Sequence, residues 1–488
     1  MTDFELEALL AKVQDTKCET NTLEIKSARK GCPERLYDTL SSFSNQDVGG
    51  TILFGIDEAD HFAPVGVYDP QDLQKKVTEQ CGQMTPPVRP VFSVLHKNGK
   101  TFVSVEIPGI DALDRPCFYT GKGRLRGAYI RVGDADEPMT EYEIYSYEAF
   151  RKKTHDELRT ADSVYEKALD PTLLQEYILR LKKNKPNLSA MPQEEIETMM
   201  GLKKNGTPTL AAITLFGVYP QSVYPQLCIT AVSVPGTQIG DVADNGERFL
   251  DNKRIEGTLS QMLEDAILFI RKNTRISTVI DPTTGVRKDR AEYPTEAVRE
   301  AILNALIHRD YSVHTENMPI QILLFRDRLE IRNPGGLYGR MTVDSLGKTQ
   351  PDTRNPVIAF AMEVSGFAEN RYSGIPTIRN ALKNAALPEP VFLNQRGTFT
   401  VIFRNSRQIP PAGHSRNSAQ ALLSFCSEYR TRREIADFLG ISTVTHAIKK
   451  HVLPLIEQGA IVMEIPEHPK SPKQRYIARG LGTESIDR

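Results

Sequence analysis

Glu300 and Asn304 lie four positions apart in the segment 294–308, where apolar residues recur with the period of a helix. Residues four apart share one face of a helix, so these two side chains would lie side by side. A carboxylate beside an amide on a half-apolar face could supply a general base and a Mg²⁺ ligand. A solvent-exposed glutamate and a capping asparagine on an ordinary packed helix would give the same pattern, and the helix alone leaves both interpretations open.

Two glycine-containing loops follow this helix in the sequence. One carries Asn333, Gly335 and Gly336 after a predicted strand, and the other carries Ser373 and Gly374 before a predicted helix. Backbone N–H groups at glycines can approach an anionic ligand closely, and a helix N-terminus favours phosphate. The two Gly-Lys-Thr triplets at 99–101 and 347–349 lack the earlier glycine of a phosphate-binding P-loop, so that class of site is excluded.

In this order, the segments resemble the GHKL ATPase superfamily of gyrase, histidine kinases and mismatch-repair ATPases. They are most similar to its RecG-like C-terminal subgroup, over about 260–405, with matching segments at 304–311, 332–337, 354–356 and 371–375. The resemblance implies a site for ATP and Mg²⁺ in which Glu300 polarises the attacking water and Asn304 binds the metal. Asn333 replaces the usual adenine-recognising aspartate, and the second loop has one glycine fewer. These departures favour nucleotide binding over hydrolysis, with at most a slow ATPase.

The segment 15–145 resembles the Schlafen-type AlbA domain, through its glutamate–strand opening and the run from Phe43 to Asp57. Eukaryotic relatives use two glutamates and an aspartate in metal-dependent RNA cleavage, and Glu19, Glu24 and Asp57 match that spacing approximately. Three convergent carboxylates could hold divalent cations that activate water. Bacterial members are regarded as DNA-binding modules, and carboxylates at strand ends are common. The resemblance therefore leaves two functions open, a nuclease and a DNA-binding module.

Two basic regions could contact nucleic acid. The segment 115–131 has five basic and no acidic residues, with interleaved aromatics, and Lys122, Arg124 and Arg126 would lie at or near the tip of a hairpin. The segment 418–480 resembles a winged helix, whose third helix enters the major groove. Its candidate contacts, on that helix and on the wing, are Thr443, Thr445, Lys449, Lys450, Lys473 and Arg475. Packed aromatics under a solvated hairpin, and a winged helix that pairs proteins, are the alternatives.

The 488 residues include 61 basic and 62 acidic ones, for a formal charge of −1. This neutrality is a cancellation, because residues 1–150 carry a net charge of −8 and residues 407–488 a net charge of +4. Six scattered cysteines without a C-x-x-C pair predict reduced thiols and no zinc framework. No apolar run is long enough for a membrane helix, and the N-terminus lacks the order of a signal peptide. We therefore expect a cytoplasmic protein with no membrane partner.

These patterns predict an α/β (α+β) multidomain protein: an AlbA-like α/β domain at 1–145, a connecting α/β segment at 146–258, a GHKL-like α/β sandwich at 259–406, a linker at 407–417 and a winged helix at 418–480. The predicted elements include a hairpin at 91–107 with an Asn98-Gly99 turn, strands at 210–217 and 227–234, and helices at 259–271 and 294–308. The predicted function is a nucleotide-responsive, DNA-binding transcriptional regulator that forms a homodimer. The alternative is a metal-dependent nuclease for RNA or DNA, regulated by the GHKL-like domain.

Overall fold

A computed structural model gives the architecture of the chain. It describes residues 1–160, 168–243, 245–280, 287–368, 373–395 and 397–405, and in the C-terminal part 422–423, 425–427, 429–439, 444, 448–457, 459–467 and 474–478. The chain divides into two compact units, Met1–Phe403 and Arg404–Arg488. The mixed helices and sheets confirm the predicted α/β multidomain class.

The N-terminal part of the first unit is built on a four-stranded sheet in the order β1-β2-β7-β6. Alternate residues of β2 face opposite sides, so Ile52 and Phe54 join the core under α2 and α3, whereas Leu53 joins the core under α1. The predicted hairpin is confirmed, with its turn at Asn98 and Gly99. The elements of this part are α1 (Asp3–Thr16), β1 (Leu23–Lys26), α2 (Tyr37–Ser44), β2 (Gly50–Phe54), β3 (Ile56–Asp57), β4 (Ala63–Pro64), α3 (Pro70–Gly82), β5 (Met84–Thr85), β6 (Val91–Lys97), β7 (Lys100–Ile107), β8 (Phe118–Tyr119), α4 (Arg124–Gly127), β9 (Tyr129–Val132), β10 (Ala135–Pro138) and α5 (Glu141–Lys152).

The second part of this unit has a six-stranded sheet in the order β14-β13-β17-β18-β20-β19, in which only β13 and β17 run parallel among the pairings described. Helices α9 and α10 pack on this sheet, and α10 packs against α12. Its elements are α6 (Pro171–Asn184), α7 (Gln193–Met199), β11 (Lys203–Lys204), β12 (Thr207–Pro208), α8 (Leu210–Phe216), β13 (Ile229–Ser233), β14 (Asp251–Ile255), α9 (Leu259–Asn273), β15 (Ile276–Ile280), β16 (Arg287–Ala291), α10 (Thr295–His308), β17 (Ile320–Leu324), β18 (Arg328–Pro334), α11 (Pro356–Val364), α12 (Gly374–Asn384), β19 (Val391–Gln395) and β20 (Thr398–Arg404).

Two sequence predictions in this region differ from the structure. The predicted strand at 210–217 is the helix α8, capped by Thr209, and all seven of its residues are buried. A fully buried helix has no polar stripe, so periodicity could not distinguish it from a buried strand. The predicted boundary between 258 and 259 runs through the six-stranded sheet, because β13 and β14 come from the segment before it. One core also spans both sides, from Leu174 to Phe403.

The second unit contains a small three-stranded sheet in the order β21-β23-β22 and a core of its own. Its described elements are β21 (Arg430–Thr431), α13 (Arg432–Leu439), α14 (Leu453–Glu457), β22 (Ile461–Met463) and β23 (Arg475–Ala478). The proposed linker 407–417 lies outside the described residues, as do Thr443, Thr445 and Lys473. Within the described part of the chain, no helix is both long and apolar enough to cross a membrane.

Glu157 joins the segment after α5 to the start of α11. Its two carboxylate oxygens accept hydrogen bonds from the backbone N–H groups of Val357 and Ile358, each at 2.8 Å. These N–H groups belong to the first turn of α11 and have no partner within the helix. The Glu157 side chain is fully buried, and this burial raises its pKa to about 7 despite the two hydrogen bonds. A side chain 200 positions away therefore caps this helix.

Glu157→Ala should lower the free energy of unfolding by about 2–4 kcal/mol, because it leaves the buried N–H group of Ile358 and the half-buried N–H group of Val357 without acceptors. Asp170→Ala is the matched control, since Asp170 caps α6 through the N–H groups of Thr172 and Leu173 at a more exposed position. Its cost should be about 1 kcal/mol. Urea unfolding of both variants measures the difference, and equal losses would contradict this account of Glu157.

Candidate functional site

Helix α10 places Glu300 and Asn304 one turn apart, beside the N-terminus of α12. A Cβ atom built on Gly374 would lie 3.1 Å from Glu300 Oε2 and 3.0 Å from Asn304 Nδ2. Both polar side chains therefore reach the first residue of α12, and a side chain at position 374 would press against them. The apolar stripe of α10, including Val298 and Ile302, is buried on the other side. The interpretation of Glu300 and Asn304 as an ordinary solvated pair does not fit this arrangement.

A cavity of about 220 Å³ lies between α10, the loop after β18 and the start of α12. The cavity wall includes all seven residues proposed from the sequence for the nucleotide site, namely Glu300, Asn304, Asn333, Gly335, Gly336, Ser373 and Gly374. These residues come from three segments spread over 75 positions, and the fold brings them together. Their assignment to nucleotide binding stays a prediction.

Two amide atoms in this cavity wall lack partners. Asn304 Nδ2 and Asn333 Oδ1 are buried, and neither has a hydrogen-bond partner among the described residues. Asn333 is only 4% exposed, so its side-chain oxygen is shielded from solvent as well as unpartnered. A buried polar atom without a partner costs about 1–3 kcal/mol. A polar ligand that reached both atoms would recover part of that cost.

Three ionisable groups near the cavity, Asp310, Arg354 and His308, are paired or held neutral. Arg354 and Asp310 are both buried and form an ion pair, with 3.3 Å between Nη1 and Oδ2. Burial would raise the pKa of Asp310, but Arg354 and other hydrogen-bond donors outweigh it and hold the pKa below its usual value. Burial lowers the pKa of His308 to about 4, and the nearby Arg354 adds to this effect. His308 in the cavity wall is therefore neutral near pH 7.

Several residues of the segments that carry the resemblance have structural roles. The buried Arg309 donates to the backbone oxygen of Met318 at 2.6 Å, and Asn355 donates to the backbone oxygens of Ile307 and Arg309. These bonds fix the end of α10 and the chain after it. Sequence reasoning missed the rest of the cavity wall between Tyr338 and Thr353. Gly339 and Gly347 both have positive φ. These two glycines are the sequence signal that could have indicated that this loop lines the cavity.

The N-terminal carboxylates do not form the expected three-residue cluster. Glu24 is buried and lies 2.8 Å from the guanidinium of Arg131, which also lies 3.8 Å from Glu19. Asp57 lies at the end of β3, where its carboxylate accepts a hydrogen bond from the backbone N–H of Ala59. Among the residues that the structure describes, no group of three or more His, Cys, Asp or Glu side chains is arranged to bind a metal ion. The buried Arg131 thus pairs with Glu24 and Asp136 and lies beside Glu19, and the predicted three-carboxylate site is not formed.

The basic segment 115–131 is not the expected hairpin with free positive charges. Its residues form β8, a short helical turn, α4 and β9, and β9 pairs with β10. Arg115 pairs with Asp47 at 2.7 Å, Arg124 pairs with Glu148, and Arg131 is buried. Lys122 donates to the hydroxyl of Tyr129 at 3.1 Å and lies 3.8 Å from Asp38. These acidic partners lie outside the segment in the sequence, so the segment by itself contains no acidic residue that would balance its positive charge.

Arg126 is the exposed basic residue of that segment that remains available for contact with a ligand. In the second unit, Lys449 is exposed on a helical turn at Ile448–Val452. The backbone of Lys450 belongs to the same turn. Arg475 lies in β23 and forms an ion pair with Glu464, at 2.6 Å between Nε and Oε2. Arg475, which the sequence places on a predicted wing, therefore carries a partly neutralised charge.

Comparisons with known proteins match three segments of the chain to family models. Residues 19–140 match the family model "Schlafen, AlbA_2", and residues 317–403 match the model "Putative ATP-dependent DNA helicase recG C-terminal". The chain thus contains a Schlafen AlbA_2 domain and a domain of the RecG C-terminal type, which confirms both resemblances over the matched residues. The helix that carries Glu300 and Asn304 lies outside the second match. Residues 418–477 match "Filamentation induced by cAMP protein Fic-like, C-terminal domain". The comparison with curated proteins finds no match.

Two solved structures match the chain, one over nearly its whole length and the other over less than a third of it. The DIP2311 protein of Corynebacterium diphtheriae is 16% identical over 98% of this chain and 97% of its own, with a TM-score of 0.39. The N-terminal domain of a RecG-related protein from Nitrosomonas europaea is 26% identical, over 29% of this chain and 94% of its own, with a TM-score of 0.23. Both TM-scores are low, so neither superposition establishes a shared fold.

Glu19→Gln should remove a pH-dependent loss of stability. Burial raises the pKa of Glu19 to about 7, and the negative charge of Glu24 adds to the effect. A raised carboxyl pKa stabilises the folded state below pH 4.5, and this contribution is lost as the pH rises through 7. The variant should match wild type at pH 5 and exceed it by about 1 kcal/mol at pH 8, after allowance for solvent screening. Urea unfolding at both pH values measures this, and the exposed Glu137→Gln is the control.

Proposed function

We propose that the chain is a nucleotide-responsive regulator that binds DNA, with ATP and Mg²⁺ in the cavity of the RecG C-terminal-type domain. The single observation that carries this proposal is the cavity wall, where seven residues chosen from sequence patterns meet and two buried amide atoms lack partners. The domain matches at 19–140 and 317–403 support the coarser statement of a nucleic-acid-binding and ATP-related protein. The regulatory role and the homodimer belong to the proposal.

The residues in the cavity wall fit the chemistry of a magnesium nucleotide. Mg²⁺ is commonly held by one or two side-chain oxygens together with phosphates and water, so Asn304 with Glu300 is a sufficient protein contribution. The N-terminus of α12 would face phosphate oxygens, and Asn333 would contact the base. Gly335 and Gly336 would line the site through their backbone, because their N–H groups are directed to Gly397 and Tyr142. When bound, the metal would neutralise phosphate charge. Glu300 would orient a water molecule, and hydrolysis would be slow.

Isothermal titration calorimetry with ATP and Mg²⁺ tests the central proposal. Wild type should bind, and Asn304→Ala should weaken binding at least about tenfold, because it removes a metal ligand worth about 1.4 kcal/mol or more. Asn252→Ala is the matched control, since Asn252 is exposed on β14 and does not line the cavity. Failure of wild type to bind would refute the proposal, and unchanged binding by Asn304→Ala would refute the role of Asn304.

The DNA-binding part of the proposal rests on the AlbA_2 match and on exposed basic residues in both units. Because phosphate contacts release counterions, binding should weaken steeply with salt. Arg126→Glu and Lys449→Glu should each weaken binding and reduce the salt slope by about one. Lys12→Glu, an equal charge change at an exposed position on α1, is the control. Fluorescence anisotropy with duplex DNA at several salt concentrations measures both quantities, and identical slopes for all three variants would contradict these contacts.

The alternative proposal, a metal-dependent nuclease, has less support. Glu19 and Glu24 are neighbours, as that activity would need, but both face Arg131 and Asp57 is not with them. A guanidinium at this position repels a divalent cation by its charge. Incubation of the pure protein with RNA and DNA in Mg²⁺ or Mn²⁺ tests this alternative. Cleavage by wild type that is lost in Glu24→Ala would support the nuclease, and no cleavage by wild type would exclude it.

A further inference from the structure

We infer that Tyr142, in α5, is a positioning residue of the nucleotide cavity and couples that cavity to the AlbA_2 domain. The inference rests on the proposed function. Tyr142 lies two residues beyond the AlbA_2 match, yet its hydroxyl donates to Asp310 Oδ2 at 2.7 Å. The backbone N–H of Gly336 interacts with the same hydroxyl oxygen. One phenol group therefore contacts the cavity loop directly and also contacts the ion pair that lies against it.

The ring of Tyr142 also fits the turn between β19 and β20. A Cβ atom built on Gly397 would lie 2.6 Å from Tyr142 Cε1, so the ring occupies space that only glycine leaves open. The backbone oxygen of Gly397 accepts a hydrogen bond from Gly335 at 2.8 Å. The first glycine of the cavity loop is thus tied to the turn on which Tyr142 packs. The ring of Tyr142 thus affects Gly335 through Gly397, and the hydroxyl affects Gly336 directly.

A second contact of α5 lies two helical turns further along the same face, at Phe150. Its ring meets Tyr338 edge to face, with 5.3 Å between centroids, and Tyr338 lines the cavity. A Cβ atom built on Gly339 would lie 2.7 Å from Phe150 Cε2. The segment 335–340 contains no helix or strand of its own, and α5 contacts it at both ends.

The contacts of Tyr142 would transmit a change from the cavity to α5 and from α5 to the cavity. Asp310 is 2% exposed, and a buried carboxylate that loses one of its donors is destabilised by about 1–3 kcal/mol. A ligand that fixes Gly335 and Gly336 would favour the position of α5 in which Tyr142 makes its contacts. By linkage, whatever moves α5 must change the affinity for that ligand by the same factor. Because α5 directly follows the AlbA_2 domain, the two proposed binding functions share this helix.

Tyr142→Phe tests the inference, because it keeps the ring and removes only the hydroxyl. Tyr145→Phe is the matched control on the same helix, since the hydroxyl of Tyr145 donates to Asp156 at 2.6 Å and Tyr145 does not line the cavity. In calorimetry with ATP and Mg²⁺, Tyr142→Phe should bind about tenfold more weakly than wild type. Tyr145→Phe should bind within about twofold of wild type.

Hydrogen exchange supplies a readout that a merely structural role would not move. Saturating ATP with Mg²⁺ should slow amide exchange across Glu141–Lys152 in wild type and in Tyr145→Phe, and should leave it unchanged in Tyr142→Phe at a concentration that also saturates that variant. Should Tyr142→Phe not fold, Phe150→Leu should show the same loss of ligand-dependent protection. If wild type binds ATP but Tyr142→Phe or Phe150→Leu behaves as wild type in both measurements, the inference is wrong and the proposed function stands. If wild type binds no ATP, the proposed function itself is wrong.

Discussion

The buried ion pair between Asp310 and Arg354 is the interaction on which the candidate site depends. Asp310 follows the end of α10, which carries Glu300 and Asn304, and Arg354 precedes the start of α11. Between them passes the loop after β18, and at Gly335 a Cβ atom would lie 2.5 Å from Arg354 Nη1 and 2.6 Å from Asp310 Cβ. Removing one partner of such a pair leaves an uncompensated buried charge, which is strongly destabilising. The pair therefore fixes three segments of the cavity wall relative to one another.

Much of the cavity was predictable from the sequence because its signals are local. The periodicity of 294–308 gave the helix and the shared face of Glu300 and Asn304, and glycines next to strand and helix ends marked the two loops. The hairpin at 91–107 was predictable for the same reason. Each of these features is encoded within about fifteen residues, so it can be read without knowing the tertiary structure.

The features that the sequence did not reveal depend on long-range contacts. Arg115 and Arg124 find their acidic partners 68 and 24 positions away, at Asp47 and Glu148. Arg131 pairs both with the distant Glu24 and with the nearby Asp136. The contact between Tyr142 and Asp310 spans 168 positions. Helix α8 is buried on every side, so its sequence lacks the amphipathic pattern that identifies surface helices. Local reading thus succeeded for the helix at 294–308, the hairpin at 91–107 and the two glycine-containing loops, and failed for α8, for charge pairing and for the boundary at 258–259.

The cap that Glu157 provides for α11 has a consequence for how the protein can be divided. A fragment that began after residue 157 would contain α11 but would leave the N–H groups of Val357 and Ile358 without their side-chain acceptors. The segment that matches the RecG C-terminal type, residues 317–403, therefore lacks the cap of one of its own helices when it is separated from the preceding chain. Recombination would preserve this cap only where the exchanged segment carries Glu157 together with α11, so a tolerated crossover would fall between the end of the AlbA_2 match at residue 140 and residue 157.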